Sequence, residues 1–247
     1  MPDRTSSLRA LVDANRILAH EGVVDAFGHV SVRDPERPDR YLLACSRSPE
    51  LVNVDDIVQF TLDGTAIDAG GRRPYAERMI HGAVYEARPD VHAVVHHHAP
   101  DVVPFTVVEA GTLRAIAHVC APIGAEIPTW DIASTFGETD MLVASMETGR
   151  DLAAALASGN VVLMRGHGAT VAGNNLQEAV STAIYLQINA RLQAQAMQIG
   201  EPRFLTRGEI EQARSRIFSP LVLDRTWEYW SRRAGVDEAD AGDGNRR

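Results

Sequence analysis

This chain contains both segments whose apolar residues have the spacing of a helix and segments that have the spacing of a strand. This mixture restricts the fold more than any other feature of the sequence. The first segment is helical, because Leu8 and Leu11 begin a run of apolar residues at helical intervals. Ser6 or Ser7 is predicted to cap this helix, and Gly22 is predicted to end it. The two kinds of segment together predict a mixed α/β fold.

Short runs of alternating or continuous apolar residues predict the strands. The dipeptide Asp63-Gly64 between two such runs suits the tight turn of a hairpin. The run 161–164 is apolar at every position, which is typical of a strand buried on both faces. In chain order, the predicted strands cover residues 30–33, 41–45, 57–62, 65–67, 91–97 and 161–164.

Capping and breaking residues predict the remaining helices. Pro74 is expected to open a helix that ends before Pro89, since a proline at the first helical position loses no hydrogen bond. Asn175 is expected to cap a long helix, and Thr206 with Glu209 is a capping-box signature for another. Helices are also predicted at 100–108 and 150–157, whereas 109–140 has no clear pattern. We therefore predict one α/β domain over residues 1–234 and an acidic, disordered tail over residues 235–247.

The composition of the chain narrows its class. Its 247 residues carry 24 basic and 33 acidic side chains, for a net charge of -9, whereas nucleic-acid-binding domains are usually basic. Cys45 and Cys120 are too few for a disulfide framework. We see no secretory signal and no apolar run of about 20 residues. The expectation is a cytoplasmic protein that binds neither nucleic acid nor membranes.

All 24 basic residues are arginine, so the chain contains no lysine. A lysine Schiff base, a phosphate-loop lysine and a kinase-type lysine are therefore excluded. Electrophilic catalysis in this chain must come from arginine, histidine, backbone groups or a metal ion.

Three consecutive histidines, His96, His97 and His98, lie at the end of a predicted strand and suggest a metal site. Because side chains alternate along a strand, His96 and His98 share one face and His97 points to the other. Two imidazoles that converge in this way can bind one cation. A pair of histidines without further ligands could equally be surface residues or make contacts in an interface. A metal site still needs a third or fourth ligand.

His167 and Glu77 are the candidates for these further ligands. His167 closely follows the strand at 161–164, and glycines on both sides of it permit a close backbone approach. Glu77 lies in the first turn of the helix expected from Pro74, where it could bind the metal or act as acid and base. The helix dipole alone also favours an acidic residue at that place, so its position has two explanations.

The sequence around the other histidines gives less support for a role in metal binding. His81 lies one turn after Glu77 and could either support a ligand or pack within its helix. We interpret His20, His92 and His118 as structural, because no pattern accompanies them. The expected ligand set of three histidines and one carboxylate suits one divalent ion, Zn²⁺, Mn²⁺, Fe²⁺ or Co²⁺, among which the sequence does not choose. Such an ion would act as a Lewis acid on a substrate oxygen, in place of a lysine.

Four segments of the chain resemble the class II aldolase/adducin-head family. They occur in the family's order within residues 8 to 200, and they are Gly28-His29-Val30-Ser31-Val32-Arg33, Glu77, Val94-Val95-His96-His97-His98-Ala99 and Arg165-Gly166-His167-Gly168. The resemblance implies a three-layer α/β/α fold with a mainly antiparallel central sheet, and homotetramers with active sites between subunits. It further implies that His96, His98 and His167 bind the metal, and that Glu77 can bind the empty metal and serve as the catalytic acid and base.

Three segments depart from the sugar-phosphate members of this family, which cradle phosphate with small polar residues. An Asn of those members is His29 here, a Thr-Pro-Ser/Thr-Gly loop is Ala44-Cys45-Ser46-Arg47, and a Ser-Ser pair is Tyr75-Ala76. Arginine makes paired hydrogen bonds to carboxylates, and histidine and tyrosine suit a planar ring. We therefore expect His29, Ser46, Arg47 and Tyr75 to bind a small carboxylate substrate, although Arg47 could also be a plain surface residue.

This pattern is similar to that of the family's decarboxylases of hydroxylated aromatic dicarboxylates, which act on dihydroxyphthalates or a hydroxypyridine dicarboxylate. The expected activity is that of a metal-dependent carbon–carbon lyase, in which the metal holds a ring hydroxyl and the adjacent carboxylate, and Glu77 or a water reprotonates the ring carbon. An aldolase for a non-phosphorylated hydroxy-oxo acid and a non-haem iron oxygenase are the alternatives. A structural, adducin-like head would be expected to lack the histidines. A C-terminal aromatic residue, Tyr229 or Trp230, could reach a neighbouring active site.

Overall fold

The protein is described by a computed structural model that covers residues 3–108 and 112–236. The predicted tail at 235–247 lies outside the described residues, apart from its first two positions. Among the described residues, no helix is both long and apolar enough to cross a membrane. Cys45 and Cys120 are both buried free thiols, as expected for a chain without a disulfide framework.

The described residues form both helices and strands, as the sequence predicts. The helices are α1 (Arg4–His20), α2 (Arg78–Ala87), α3 (Val103–Thr106), α4 (Ile132–Phe136), α5 (Met146–Leu156), α6 (Leu176–Ile199), α7 (Arg207–Ile217) and α8 (Pro220–Arg233). The strands are β1 (His29–Arg33), β2 (Arg40–Ala44), β3 (Ile57–Thr61), β4 (Ala66–Ile67), β5 (Ala93–His97), β6 (Thr129–Trp130), β7 (Val161–Met164) and β8 (Gly168–Gly173). Short 3-10 helices cover Pro49–Leu51, Val54–Asp56 and His118–Ile123.

The strands of the described residues form one eight-stranded sheet in the order β4-β3-β2-β1-β5-β8-β7-β6. Every neighbouring pair is antiparallel except β6 and β7, which are parallel. The predicted mainly antiparallel sheet is therefore confirmed, with a parallel pair at one edge. This order places β1, β5 and β8 side by side, and the histidine motifs lie at the ends of these strands.

Successive residues of a strand contribute to two separate apolar clusters, one on each face of the sheet. In β5, Ala93 and Val95 belong to the cluster that includes residues of α1 and α6. Val94 belongs to the cluster that includes residues of α2 and α5. Because side chains alternate along a strand, His96 lies on the same face as Val94, which is the face covered by α2.

Several predicted helix ends are confirmed. The side chain of Asn175 accepts the backbone N–H of Glu178 at 2.8 Å, and α6 ends before Gly200. Thr206 and Glu209 form the capping box of α7, in which the Glu209 N–H donates to Thr206 Oγ1 at 3.2 Å. These motifs are local, which explains why the sequence alone predicts them.

The predicted cap of α1 is wrong. Asp3 caps this helix, rather than Ser6 or Ser7, and its carboxylate accepts the backbone N–H of Ser6 at 2.7 Å. A carboxylate three residues before a free N–H satisfies the same geometry as a serine hydroxyl, and it adds a favourable interaction with the helix dipole.

Other boundaries also differ from the prediction. The predicted helix at 100–108 is reduced to the single turn of α3, and α5 begins earlier than predicted because Ser145 caps it. The hairpin turn after β3 is longer than predicted, since the Thr61 N–H donates to the Thr65 carbonyl at 3.0 Å and Gly64 has a φ of +79°. The described residues also include a further helix after α7, α8, that the sequence did not predict.

Strand β8 is the main element that the sequence analysis missed. Its sequence, Gly-Ala-Thr-Val-Ala-Gly, contains only two strand-forming residues, Thr170 and Val171, between small residues, so its strand signal is weak. Yet all six residues are buried between β5 and β7. The small residues are required there, because a Cβ on Gly173 would lie 2.7 Å from the backbone nitrogen of Ala179 in α6. The unassigned segment 109–140 contains a 3-10 helix, β6 and α4.

Candidate metal centre and cavity

The sheet register brings His29 and His96 next to each other. These residues are directly opposed across β1 and β5, and their ring centroids are 5.1 Å apart. His98 follows the end of β5, and His167 lies in the tight turn between β7 and β8. Because β5 and β8 are neighbours, this turn lies beside the end of β5. The side chains of His96 and His98 lie on the same side of the sheet, as predicted, and their Nε2 atoms are 3.0 Å apart.

Glu77 reaches the same place from the N-terminus of α2, although not as predicted. The helix begins at Arg78 rather than at Pro74, because Pro74 pairs with Cys45 in an isolated antiparallel bridge. Glu77 is thus the N-cap residue rather than a member of the first turn. Its carboxylate does not cap the helix and is free to face the histidines.

Two glycines permit the close backbone approach that the site needs. A Cβ on Gly168 would lie 2.1 Å from the carbonyl oxygen of His97 in the neighbouring strand. Gly28 has a φ of +92°, and its Cβ would lie 2.6 Å from a side-chain carbon of Val24. No other residue type fits either position without a shift of the backbone.

The four candidate ligands converge on one point. One donor atom from each of Glu77, His96, His98 and His167 lies within 4.8 Å of the others. Nε2 of His96 and Nε2 of His98 are 3.0 Å apart, and Glu77 Oε2 lies 3.6 Å from Nε2 of both His96 and His167. Glu77 and His96 are buried, whereas His98 and His167 are partly exposed.

Backbone contacts orient two of these side chains. The Nδ1 of His96 lies 3.2 Å from the carbonyl oxygen of Ala169, so it carries the proton and leaves a lone pair on Nε2. The Oε1 of Glu77 accepts the backbone N–H of Val143 at 3.0 Å, which leaves Oε2 to face the histidines. Burial lowers the pKa of His98 to about 4, with help from the neighbouring imidazoles, so this side chain is neutral and can act as a ligand.

The donor chemistry of the cluster fits a divalent cation. Three imidazole nitrogens and one carboxylate oxygen form the nitrogen-rich set that such ions prefer. Burial raises the pKa of Glu77, but the imidazoles of His167 and His96 outweigh this effect and hold its pKa well below the usual range. The cluster therefore combines an ionised carboxylate with imidazole lone pairs at a distance that a shared cation would satisfy.

His97 lies apart from this cluster, as predicted. It is fully buried on the opposite face of the sheet, where its Nδ1 accepts the backbone N–H of Ala99 at 3.2 Å. Burial lowers its pKa to about 3, with a smaller contribution from His96 and His98, so His97 is a neutral core residue.

A cavity of about 350 Å³ opens beside the cluster, and the four predicted substrate residues line it. His29, Ser46, Arg47 and Tyr75 lie on its wall together with Glu77 and His98. A larger cavity of about 830 Å³ elsewhere in the described chain contains none of the clustered residues. Another cavity of about 350 Å³ in the described chain is lined by His98 but by no other member of the cluster. The cavity beside His29 is lined by both Glu77 and His98, so it can hold a substrate against the metal ligands.

Two of these wall residues are fixed by their neighbours. The guanidinium of Arg47 lies 3.4 Å from Asp56 Oδ2, and its side chain is 44% exposed. The Tyr75 hydroxyl donates to the backbone carbonyl of Arg47. Burial raises the pKa of Tyr75 to about 12, so its hydroxyl stays protonated at neutral pH. The Tyr75 ring packs against His29, with their ring centroids 4.7 Å apart.

The sequence analysis missed a buried polar chain behind His29. Nδ1 of His29 lies 2.6 Å from Nε2 of His81, and Nδ1 of His81 lies 2.6 Å from Ser31 Oγ. Ser31 Oγ in turn lies 2.8 Å from the Tyr85 hydroxyl oxygen. The alternation of His29 and Ser31 on a strand, and the one-turn spacing of His81 and Tyr85 on a helix, were the available signals.

The two C-terminal aromatic residues differ in their exposure. Trp230 is buried within its own chain and packs against Tyr185, with their ring centroids 6.0 Å apart. Tyr229 is 57% exposed. Of the two, only Tyr229 presents its ring to the surface.

Comparison with known proteins identifies relatives along most of the chain. The family model described as "Class II Aldolase and Adducin N-terminal domain" matches residues 9–194. "Decarboxylase tropJ" of Talaromyces stipitatus is 31% identical, over 91% of this chain and 92% of that protein. A 3,4-dihydroxyphthalate decarboxylase of Arthrobacter keyseri is 32% identical, over 77% of this chain and 79% of that protein.

The fold agrees with these sequence relatives. The solved structure of an L-fuculose 1-phosphate aldolase from Glaciozyma antarctica superposes with a TM-score of 0.76 at 24% identity, covering 99% of this chain and 93% of that chain. Both the resemblance to the family and the resemblance to its decarboxylase branch are thus confirmed. On this basis the chain belongs to the class II aldolase and adducin N-terminal domain family, and it is a lyase.

Proposed function

We propose that this protein is a metal-dependent decarboxylase of a hydroxylated aromatic dicarboxylate, with a dihydroxyphthalate or a hydroxypyridine dicarboxylate as substrate. The observation that carries this proposal is the wall of the cavity beside the His/Glu cluster. It presents His29, Arg47 and Tyr75 to a ligand, and these groups suit a flat, anionic ring better than a sugar phosphate. The decarboxylases among the relatives support the same reaction class.

The residues that would hold the metal are His96, His98, His167 and Glu77. When bound, the divalent ion would supply a Lewis acid that holds substrate oxygens and stabilises negative charge on them as the carboxylate is lost. The three imidazoles offer neutral donors, and the ionised Glu77 offsets part of the charge of the ion.

Glu77 is assigned the proton transfer. When the bond between the ring and the carboxylate breaks, CO₂ leaves and the electron pair stays on the ring carbon, which must then take up a proton. Glu77 lines the cavity, its Oε2 lies 3.6 Å from Nε2 of His96, and its Oε1 is held by the N–H of Val143. Because Glu77 is ionised, the proton must first come from a water or from the substrate hydroxyl. Glu77 can take up this proton and pass it to the ring carbon, or it can orient the water that delivers it.

Arg47 and His29 are assigned to the second carboxylate of the substrate. Arg47 interacts with Asp56 through Nε and Nη1, so part of its guanidinium remains available to a carboxylate in the cavity. His29 offers its remaining ring nitrogen, and Ser46 adds a hydroxyl on the same wall. Tyr75 would pack against the ring of the substrate.

The test is a turnover assay of the purified protein, loaded in turn with each candidate metal. The panel should contain 3,4-dihydroxyphthalate, a hydroxypyridine dicarboxylate and several non-phosphorylated hydroxy-oxo acids, with CO₂ and aldehyde both measured. The proposal expects CO₂ from an aromatic dicarboxylate. Aldehyde or ketone release from a hydroxy-oxo acid, without CO₂ from any aromatic substrate, would instead establish the aldolase alternative, which the same fold supports.

We further propose a three-layer α/β/α arrangement, a single domain over residues 1–234, a cytoplasmic location and a homotetramer. The family resemblance implies the layered arrangement and the homotetramer, whereas the sequence pattern and the composition indicate the single domain and the location. Exposed apolar side chains beside the cavity support the homotetramer, since Phe27 is 67% exposed and Leu142 is 41% exposed. Sedimentation equilibrium of the purified chain would test for a tetramer, and a monomer at all concentrations would exclude it.

A further inference from the structure

The polar chain behind His29 connects the substrate cavity with the interior of the protein. It runs from His29 through His81 and Ser31 to Tyr85, with separations of 2.6, 2.6 and 2.8 Å. The four residues are between 0% and 4% exposed, so water does not compete for these hydrogen bonds. None of them belongs to the candidate ligand set.

Two secondary-structure elements build this chain. His29 and Ser31 are two residues apart on β1 and point to the same face, while His81 and Tyr85 are one turn apart on α2. Arg33 fixes the far end, because its guanidinium lies 4.8 Å from the centre of the Tyr85 ring and donates to the Tyr85 carbonyl at 2.8 Å. The Tyr85 hydroxyl therefore has a fixed place next to Ser31.

The direction of each hydrogen bond can be deduced by starting from Tyr85, the end of the chain farthest from the cavity. Among the described residues, Ser31 Oγ is the one acceptor within hydrogen-bond distance of the Tyr85 hydroxyl. A buried hydroxyl proton without an acceptor is costly, so Tyr85 donates to Ser31. The Ser31 proton must then go to Nδ1 of His81.

The remaining hydrogen bonds of the buried chain lead from His81 to the cavity. Because Nδ1 of His81 accepts a hydrogen bond, the proton of this neutral imidazole lies on Nε2, and it is donated to Nδ1 of His29. His29 then carries its own proton on Nε2. Since Nδ1 is already engaged and His29 lines the cavity, Nε2 is the nitrogen left for a ligand.

We propose that His81, Ser31 and Tyr85 are positioning residues that hold His29 with its proton on Nε2, so that the cavity presents an N–H donor to a carboxylate or carbonyl oxygen of the substrate. The choice of a carboxylate as the recognised group rests on the proposed function, whereas the position of the proton does not. A substrate hydroxyl that must donate a hydrogen bond finds no acceptor in this side chain. The buried chain thus selects which face of the substrate lies against β1.

The position of the proton can be measured without any substrate. In a neutral imidazole the protonated and bare nitrogens have widely separated ¹⁵N chemical shifts. Zinc-loaded protein labelled with ¹⁵N-histidine would therefore report the tautomer of His29, whose signal is identified by its loss in His29→Asn. We expect protonated Nε2 and bare Nδ1 at neutral pH. Protonated Nδ1, or a doubly protonated ring, would overturn the proposal.

Variants test whether the buried chain causes this preference. Ser31→Ala removes the donor to His81, so both tautomers of His29 should appear. His81→Gln retains an amide N–H that can donate to His29, so it should keep the wild-type tautomer and remains informative if Ser31→Ala does not fold. Ser181→Ala is the matched control, because this buried hydroxyl has no hydrogen-bond partner among the described residues. An unchanged spectrum in folded Ser31→Ala would contradict the proposal.

A binding measurement separates this proposal from the proposed function. Phthalate offers two carboxylates on a ring and cannot react as the hydroxylated substrate would. Its dissociation constant, measured by titration calorimetry, should rise in Ser31→Ala by the inverse of the fraction of His29 that keeps its proton on Nε2, which is about twofold for an equal mixture of tautomers, and stay unchanged in Ser181→Ala. If phthalate binds neither wild type nor variant, the proposed substrate class is wrong, and the ¹⁵N spectra alone decide the role of the buried chain.

Discussion

Two side chains of the cluster, His96 and Glu77, each contact the backbone through one polar atom and leave the other polar atom to face the remaining ligands. His96 directs Nδ1 to the Ala169 carbonyl, and Glu77 directs Oε1 to the Val143 N–H. The atoms that remain, Nε2 and Oε2, are 3.6 Å apart. Backbone anchoring fixes the rotamers before a ligand binds, and it reduces the conformational entropy lost on binding.

Replacement of one imidazole should remove the metal and leave the fold. In His96→Ala we expect bound zinc, measured by plasma mass spectrometry after dialysis, to fall at least tenfold, because three donors remain and one is missing. Circular dichroism should show a folded chain. His92→Ala is the control, since His92 is exposed and lies just before β5. Undiminished zinc in His96→Ala would contradict the assignment of the site.

Glu77→Gln should separate catalysis from metal binding. The amide keeps the size of the side chain and can still accept the Val143 N–H, but it cannot transfer a proton. We expect kcat to fall by about 10²–10⁴-fold, the usual contribution of a general acid or base, while bound metal changes much less. Steady-state rates and metal content measured on the same samples would decide. A parallel loss of both would show that Glu77 acts mainly as a ligand.

At the level of elements, the short turn between β7 and β8 determines whether His167 reaches the cluster. Gly168 follows this turn and lies against the backbone of β5. The sequence already indicated this, because the Gly-His-Gly motif predicts a close approach. It did not indicate β8 itself, where only Thr170 and Val171 signal a strand and where Gly168 and Gly173 are required by long-range packing against β5 and α6. The start of α2 was mispredicted for a related reason, since the bridge from Pro74 to Cys45 is a long-range contact.

Gly168→Ala should damage both stability and the site. Its Cβ would lie 2.1 Å from the His97 carbonyl oxygen, so β8 must move away from β5. We expect a loss of at least about 2 kcal/mol in the free energy of unfolding, measured with urea, together with weaker zinc binding. Gly208→Ala in α7 has nothing within 4 Å of the new Cβ and should be neutral or slightly stabilising. Equal stability of the two variants would contradict this account of the turn.

The buried histidines of β5 and α2 should make the metal-free protein sensitive to acid. Burial lowers the pKa values of His97 and His81 to about 3, below the ordinary value of 6.5. As the pH falls below 6.5, the unfolded chain binds protons at these histidines before the folded chain does. The free energy of unfolding is therefore highest above pH 6.5 and falls as the pH approaches 3. Relative to neutral pH, each of these two histidines should lower the free energy of unfolding at pH 5 by about 2 kcal/mol.

His97→Asn tests this directly, since the amide oxygen can still accept the Ala99 N–H but does not titrate. Between pH 7.5 and pH 5, chelator-treated His97→Asn should lose about 2 kcal/mol less stability than wild type, as measured by urea unfolding. Ser181→Ala provides the control, because it removes a buried hydroxyl that does not titrate in this range and should follow the wild-type pH dependence. Identical pH dependence of His97→Asn and wild type would exclude the buried, neutral state of His97.

At the level of the whole molecule, three distant parts of the chain meet at one face of the sheet. The N-terminus of α2, the end of β5 and the turn before β8 supply the cluster, and β1 supplies His29. The sequence predicted this convergence because each part has its own local motif and because the motifs resemble those of one family. It did not predict Ser31 and Tyr85, because a serine on a strand and a tyrosine on a helix become a polar chain only when the two elements pack together.

The proposed reaction, loss of a carboxylate from an aromatic ring, depends on the cluster of His96, His98, His167 and Glu77. It can be tested by the rate of CO₂ release from 3,4-dihydroxyphthalate by metal-loaded wild type and by His167→Ala, assayed side by side. We expect steady turnover by the wild type that a chelator abolishes, and at least a 100-fold lower rate in the folded variant. Wild-type turnover by His167→Ala, or turnover that persists after the metal has been removed, would show that the cluster does not catalyse this reaction.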